Sequence, residues 1–231
     1  MTHPLTILPP SRHLPSQRGL AVAVAALAVG FNLPFGRLAV IFDYPGILRQ
    51  PPEAILQAFA AGGPSLILTW YAFALAALIF IPVAMAHSLA LNRTQTAAPL
   101  AIAAAIAGAL AGVLQAMGLL RWVMVVPGLA ADGDVQGFAL LHAFAGVAVG
   151  EHLGQLLTAL HVALVAAMQR GEGARIVSAL GQATAGAITL GAFEGVALSI
   201  GVDGAVFGML AIAGYLGLTL WMLGSARHLL R

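Results

Sequence analysis

The sequence predicts an all-α polytopic membrane bundle of six transmembrane helices, and three observations carry that prediction. Of 231 residues, 61% are hydrophobic and only 8% charged, whereas a soluble domain carries about a quarter charged. Mean hydropathy is +0.97. Apolar runs of roughly 20 residues recur along the chain, the length that crosses a bilayer as a helix with its backbone polar groups satisfied internally.

The elements follow in order. Residues 1–18 are polar and Pro-rich, carry Arg12 and Arg18, and read as a cytoplasmic tail ahead of a single domain over 19–231. The first apolar run continues through Asn32, Pro34 and Arg37 without a small-residue cleavage site, so it reads as a retained helix and not a signal peptide. Spans are expected at 19–40, 65–88, 98–120, 137–168, 175–200 and 204–226. Between the first two, FDYPG reads as a turn. PPEAILQAFAAGGP has Pro at a helix start, Glu53 in its first turn and Gly62-Gly63-Pro64 as a stop. Ile55, Leu56 and Phe59 share a face there, which predicts a short interfacial helix on the outer membrane surface.

All ten basic residues are Arg. Seven of them (Arg12, Arg18, Arg93, Arg170, Arg175, Arg227, Arg231) fall on one side and three (Arg37, Arg49, Arg121) on the other. The positive-inside rule puts both termini in the cytoplasm of a bacterial inner membrane protein. The Arg residues are scattered and fit topology, so no nucleic-acid partner is expected. The absence of cysteine excludes disulfides, thiolate catalysis and Cys-rich metal sites.

Span four carries the chemistry in HAFAGVAVGEHLGQ. On a straight helix at about 100° per residue, Gly146, Gly150 and Gly154 form one ridge. Glu151, Gln155 and His152 then form an arc pointing elsewhere. Gly108/Gly112, Gly191/Gly195 and Gly204/Gly208 repeat the four-residue interval that lets helices approach closely in lipid, within the chain or across a homodimer. His142 and His152 lie about 15 Å apart along such a helix, too far to share one metal ion. Glu151 and His152 diverge, so no metal site is assigned, and a metal needs ligands from other helices. Ionisable groups at this depth face a bundle interior or wet cavity. Asn32, Gln115, His142 and Glu194 form an outer polar layer, with Glu151, His152 and Gln155 beneath it as the floor of an outward-opening pocket.

Plainer roles stand beside these. Arg37, Arg121 and Trp122 are where interfacial anchors belong, Asn32 with Pro34 can repair a helix break, Glu194 can neutralise Arg121, and His87, His161 and His228 read as packing or interfacial residues.

FDYPGILRQP, GLLRWVMVVPGLA and HAFAGVAVGEHLGQ together resemble a family of bacterial multi-pass membrane proteins catalogued as a domain of unknown function. The resemblance covers most of the chain. It implies a bacterial integral membrane protein and supports Asp43, Tyr44, Pro45, Arg121, Trp122, Pro127, His142, Glu151, His152 and Gln155 as the residues of interest. It implies no activity, substrate or cofactor.

Three functions fit these residues. The first is a protein that binds or transports a small or lipophilic molecule, with Glu151 and His152 exchanging protons or touching the ligand. Arg121 would then steer an anionic group, and Asn32, Arg37, Asp43, Tyr44, Trp122, His142, Gln155 and Glu194 would line the site. The second is a membrane-embedded enzyme on a lipid- or quinone-like substrate, using Glu151 and His152 as acid and base, or His142 and His152 as ligands to separate cofactors such as haem. The third is an accessory structural protein. The cofactor stays open.

Overall fold

The computed structural model describes residues 15–231. The tail expected at 1–18 therefore lies outside the described residues up to position 14, and its last four residues already belong to α1 (Pro15–Phe42). Six helical stretches are long and apolar enough to cross a membrane: Gln17–Phe42, Pro52–Leu89, Ala98–Asp132, Val135–Gly171, Arg175–Ser199 and Ala205–Leu229. The described residues hold helices and no strands. An even number of crossings puts both ends of this bundle on one side, called here the terminal side.

On the far side the chain leaves α1 through Asp43, which has φ 51°, and a cis Tyr44–Pro45 bond. A 3-10 turn then spans Gly46–Arg49. Next comes α2 (Pro52–Leu89), which contains two helices joined at Gly63, where φ is 59° and ψ −163°. Only glycine adopts that backbone readily, and Pro64 reopens the helix beyond it. The arm before Gly63 is the short helix expected from the sequence, and its apolar face turns to the protein. Ile55, Leu56 and Phe59 are buried against the protein's own far-side core. The same amphipathic spacing serves a protein surface as well as a membrane one.

After α3 (Arg93–Thr96), α4 (Ala98–Met124) climbs back to the far side. Pro127 restarts the chain as α5 (Val126–Asp132). α6 (Val135–Leu141) is capped by Asp134, which accepts from the Gly137 N–H at 2.9 Å. Span four then departs from the straight helix assumed for it. His142–Leu153 is a π-helix twelve residues long, continuing as α7 (Gly154–Gly171). Its i→i+5 hydrogen bonds widen the turn and change which residues share a face. Span five is broken into α8 (Arg175–Gly191) and α9 (Glu194–Ser199), and α10 (Ala205–Leu229) closes the bundle.

Two cores result. The larger draws on α1, α2, α4, α7, α8 and α10. The far-side core is aromatic and takes residues from α1, the 3-10 turn, α2, α4, α5 and α6, but none from α10 among the described residues. Trp70 and Trp122 stack there with centroids 4.9 Å apart and planes 10° apart, a contact worth about 0.5–1.5 kcal/mol beyond its buried area. Both α1 and α10 thus belong to the larger core, while on the far side they part company.

The terminal side is tied by a clasp. Arg93, fully buried, donates from Nε and Nη2 to the two Glu172 oxygens at 2.6 and 2.9 Å, and from Nη1 to the His87 carbonyl at 2.7 Å. His228, in the last turn of α10, meets Glu172 at 2.8 Å. His87 and His161 are buried beside Trp221, and His161 Nδ1 donates to the Ala104 carbonyl at 3.0 Å.

Candidate functional site: an arginine-latched cavity

A cavity of about 430 Å³ lies on the far side, bordered by both α1 and α10. Its wall takes residues from α1, the Tyr44–Arg49 segment, α2, α4, the π-helix, the start of α7, α9 and α10. Most of the wall is aromatic and aliphatic, with a few polar groups set into it.

The π-helix explains how those groups reach the wall. Residues four apart stay nearly in line along it instead of drifting round the axis, and α4 answers with residues three apart. A Cβ on Gly154 would sit 3.0 Å from Gln115 Cγ, one on Gly118 2.9 Å from Gly150 Cα, and one on Gly146 2.7 Å from Arg121 Nη2. The glycine ridge therefore packs on α4, as its spacing suggests. It does not point away from the polar arc, however: Gly146, Gly150, Glu151 and Gln155 all border the same cavity. Gly108 meets Ala84 and His161, Gly191 meets Ala211, and Gly208 meets Glu194, so these repeats also pack within the chain.

Glu151 and His152 separate. Glu151 faces the cavity and accepts from Arg49 Nη2 at 2.6 Å. His152 turns to the break in span five, where Nδ1 donates to the Ala192 carbonyl at 2.7 Å and the ring meets Phe193 edge-on. It is not among the residues bordering the cavity. Adjacency in sequence brings these two groups to different surroundings.

Glu194 comes to the cavity because span five breaks at Ala192-Phe193 and restarts with this residue. Its carboxylate takes a bidentate pair from Arg49, Nε to Oε1 at 2.8 Å and Nη2 to Oε2 at 2.9 Å. Gly204, just ahead of α10, and Gly208 within it make room for it, since a Cβ on either would lie 3.0 Å from the Glu194 side chain. The partner of Glu194 is thus Arg49 and not Arg121. Burial works against the Arg49 cation, but the Glu194 and Glu151 carboxylates outweigh it and raise its pKa above the ordinary value. The turn that carries Arg49 is itself pinned: His142 Nε2 donates to the Leu48 carbonyl at 3.1 Å, and the His142 ring stacks on Phe138.

Toward the bundle centre, Gln115 Nε2 donates to Thr158 at 2.7 Å and to Tyr215 at 3.2 Å. Asn32 donates to the Ala28 carbonyl at 2.7 Å and to Thr219 on α10 at 2.9 Å. It joins two helices, and α1 runs unbroken through Pro34. Trp122 is completely buried and Arg121 nearly so, which removes both from the interfacial-anchor role. Arg37 bonds Ser65 and Thr69 on α2 and stays outside the cavity, as does Asp43, whose carboxylate sits over Gly46. Among the described residues no three His, Asp or Glu groups converge on a common point suited to a metal ion.

Arg49 is the residue that sequence reasoning passed over. The available signal was that two intramembrane carboxylates need a cation, and only Arg37, Arg49 and Arg121 lie on that side of the chain.

Six membrane-length helices around a cavity with charged groups in its wall define a multi-pass membrane protein. Its sequence places it further: the chain belongs to the family described as Domain of unknown function (DUF4386), whose model matches residues 19–224. No curated protein and no solved structure matches the chain.

Proposed function

We propose that this protein binds, and in a membrane moves, a small lipophilic molecule taken up on the far side between α1 and α10. The supporting observation is the cavity itself. At about 430 Å³ it falls within the range of small-molecule pockets, whose walls are mostly apolar with a few placed polar groups. Two of its lining residues on α10, Met209 and Leu216, are 63% and 57% exposed, so the wall continues into the lipid-facing surface. Glu151 is the ligand-contacting or proton-exchanging group of this reading. The terminal side is the cytoplasmic one and the membrane a bacterial inner membrane, on the strength of the seven-to-three Arg bias.

The test is to purify the protein in neutral-lipid nanodiscs and identify bound small molecules by native mass spectrometry. Ile212→Trp, which fills the cavity from α10, is expected to lower bound lipophile at least tenfold. Leu190→Trp, on a face outside the cavity, should leave it unchanged. Equal retention by the two variants refutes the proposal.

A further inference from the structure

Resting on that reading, the polar atoms left over in the cavity wall say what kind of lipophile fits. Arg49 is matched by two carboxylates, but Arg121 is matched by none: among the described residues it forms no ion pair. It is only 6% exposed. Its Nη1 donates to the Gly118 carbonyl, its guanidinium lies 4.9 Å over the Trp122 ring, and its Nε–H has no partner. Trp70 Nε1–H, in a side chain 1% exposed, is likewise unpartnered. The two indoles stack on each other and Arg121 lies over one of them, so the three side chains form one assembly, and all three residues border the cavity.

Leaving a buried donor unpaired is costly, and a buried cation with no carboxylate in direct contact more so, since Glu151 and Glu194 are both engaged by Arg49. The fold nevertheless makes room for this one. The backbone is thinned to glycine at position 146, where a Cβ would meet the guanidinium. Packing alone would be served by an apolar side chain of similar length. Two unmatched N–H donors, one of them cationic, call for an acceptor with negative charge, and the surrounding wall calls for an apolar body.

We infer that the cavity takes an amphiphile with a single small anionic head, a carboxylate or a phosphomonoester, whose head is held by Arg121 and Trp70 and whose tail runs along the apolar wall toward α10. A guanidinium pairs with either head group through parallel N–H bonds. At ~30 Å³ per water-sized unit the cavity admits on the order of fourteen non-hydrogen atoms, so a long tail extends past Met209 into lipid.

The test uses the full chain in phosphatidylcholine nanodiscs and four probes with the same tail: dodecanoate, dodecyl phosphate, dodecanol and dodecyltrimethylammonium. Dodecanoate or dodecyl phosphate should bind about ten- to a hundredfold more tightly than dodecanol, the range expected of a charge-assisted hydrogen bond, and the stronger of the two names the head group. Arg121→Gln should abolish that preference while dodecanol binding persists. Trp70→Phe keeps the ring and removes only the N–H, so it should cut the preference several-fold even if Arg121→Gln fails to fold. Dodecanol binding as tightly as both anions, or the ammonium probe binding best, overturns this inference and leaves the lipophile reading standing. Failure of all four probes overturns both.

Discussion

Replacing Arg93 by Met tests whether the terminal side is held by its buried clasp. The guanidinium makes three hydrogen bonds at 2.6–2.9 Å, two to Glu172 and one to the His87 carbonyl. Met keeps the apolar stem and removes all three. Breaking a buried ion pair from one side costs about 3–5 kcal/mol. Glu172 is 21% exposed and keeps His228, so it rehydrates in part and the loss belongs at the low end, ~3 kcal/mol. The assay is the equilibrium unfolding midpoint in mixed micelles titrated with SDS, on Arg93→Met, Glu172→Gln and the double variant. The two single losses should not add, with a coupling of about 1–3 kcal/mol between sites in direct contact. A loss under about 0.5 kcal/mol for Arg93→Met, the range of an ordinary surface substitution, refutes the clasp as a stabilising element.

Four further outcomes are expected. Burial pushes the Glu172 carboxyl up, but the Arg93 bonds and charge, followed by those of His228, outweigh it and hold it below the ordinary value. Stability from this group is therefore fully present above the unfolded carboxylate range and is lost as pH falls below about 5 toward the lowered folded value; an acid unfolding limb unchanged in Glu172→Gln would contradict this. Gly150→Ala should destabilise by about 1–3 kcal/mol, because its Cβ meets Gly118 Cα and the Ala145 carbonyl, backbone atoms that cannot rotate aside. Gly186→Ala, facing open space within a helix, should be neutral or stabilising in the same SDS titration. His142→Ala should free the Leu48 carbonyl and raise amide hydrogen exchange across residues 46–50, and protection equal to the parent's would show that the turn is held without it.

How much of this was legible depended on range. Hydropathy located all six spans because each helix must satisfy its own backbone in lipid, whatever surrounds it. The stop at Gly62-Gly63-Pro64 was legible for the same local reason. Orientation of side chains was less so. The straight-helix wheel separated Glu151 from the glycine ridge, and the π-helix over His142–Leu153 brings them to one wall. Nothing in HAFAGVAVGEHL alone announces i→i+5 bonding; contact with α4 at Gly118 and Gly150 accompanies it. Ile55, Leu56 and Phe59 announced an apolar face but not what would cover it. Least legible were the pairings across the chain. Arg49 looked like one charge in an orientation count, and Glu172 like one residue in a loop, because partners 102, 145 and 79 residues away leave no periodic trace.

The Arg49 latch also sets an order of events during synthesis. Its two partners, Glu151 and Glu194, follow it by 102 and 145 residues. At about 5–20 residues per second, they emerge several seconds to tens of seconds after the turn that carries Arg49. Until then the first three spans hold a cation whose counter-charges do not yet exist, whereas each carboxylate enters with its cation already in place. The pairing of Arg49 with both carboxylates is complete only when span five arrives, so a nascent chain arrested before Glu194 carries a half-made latch.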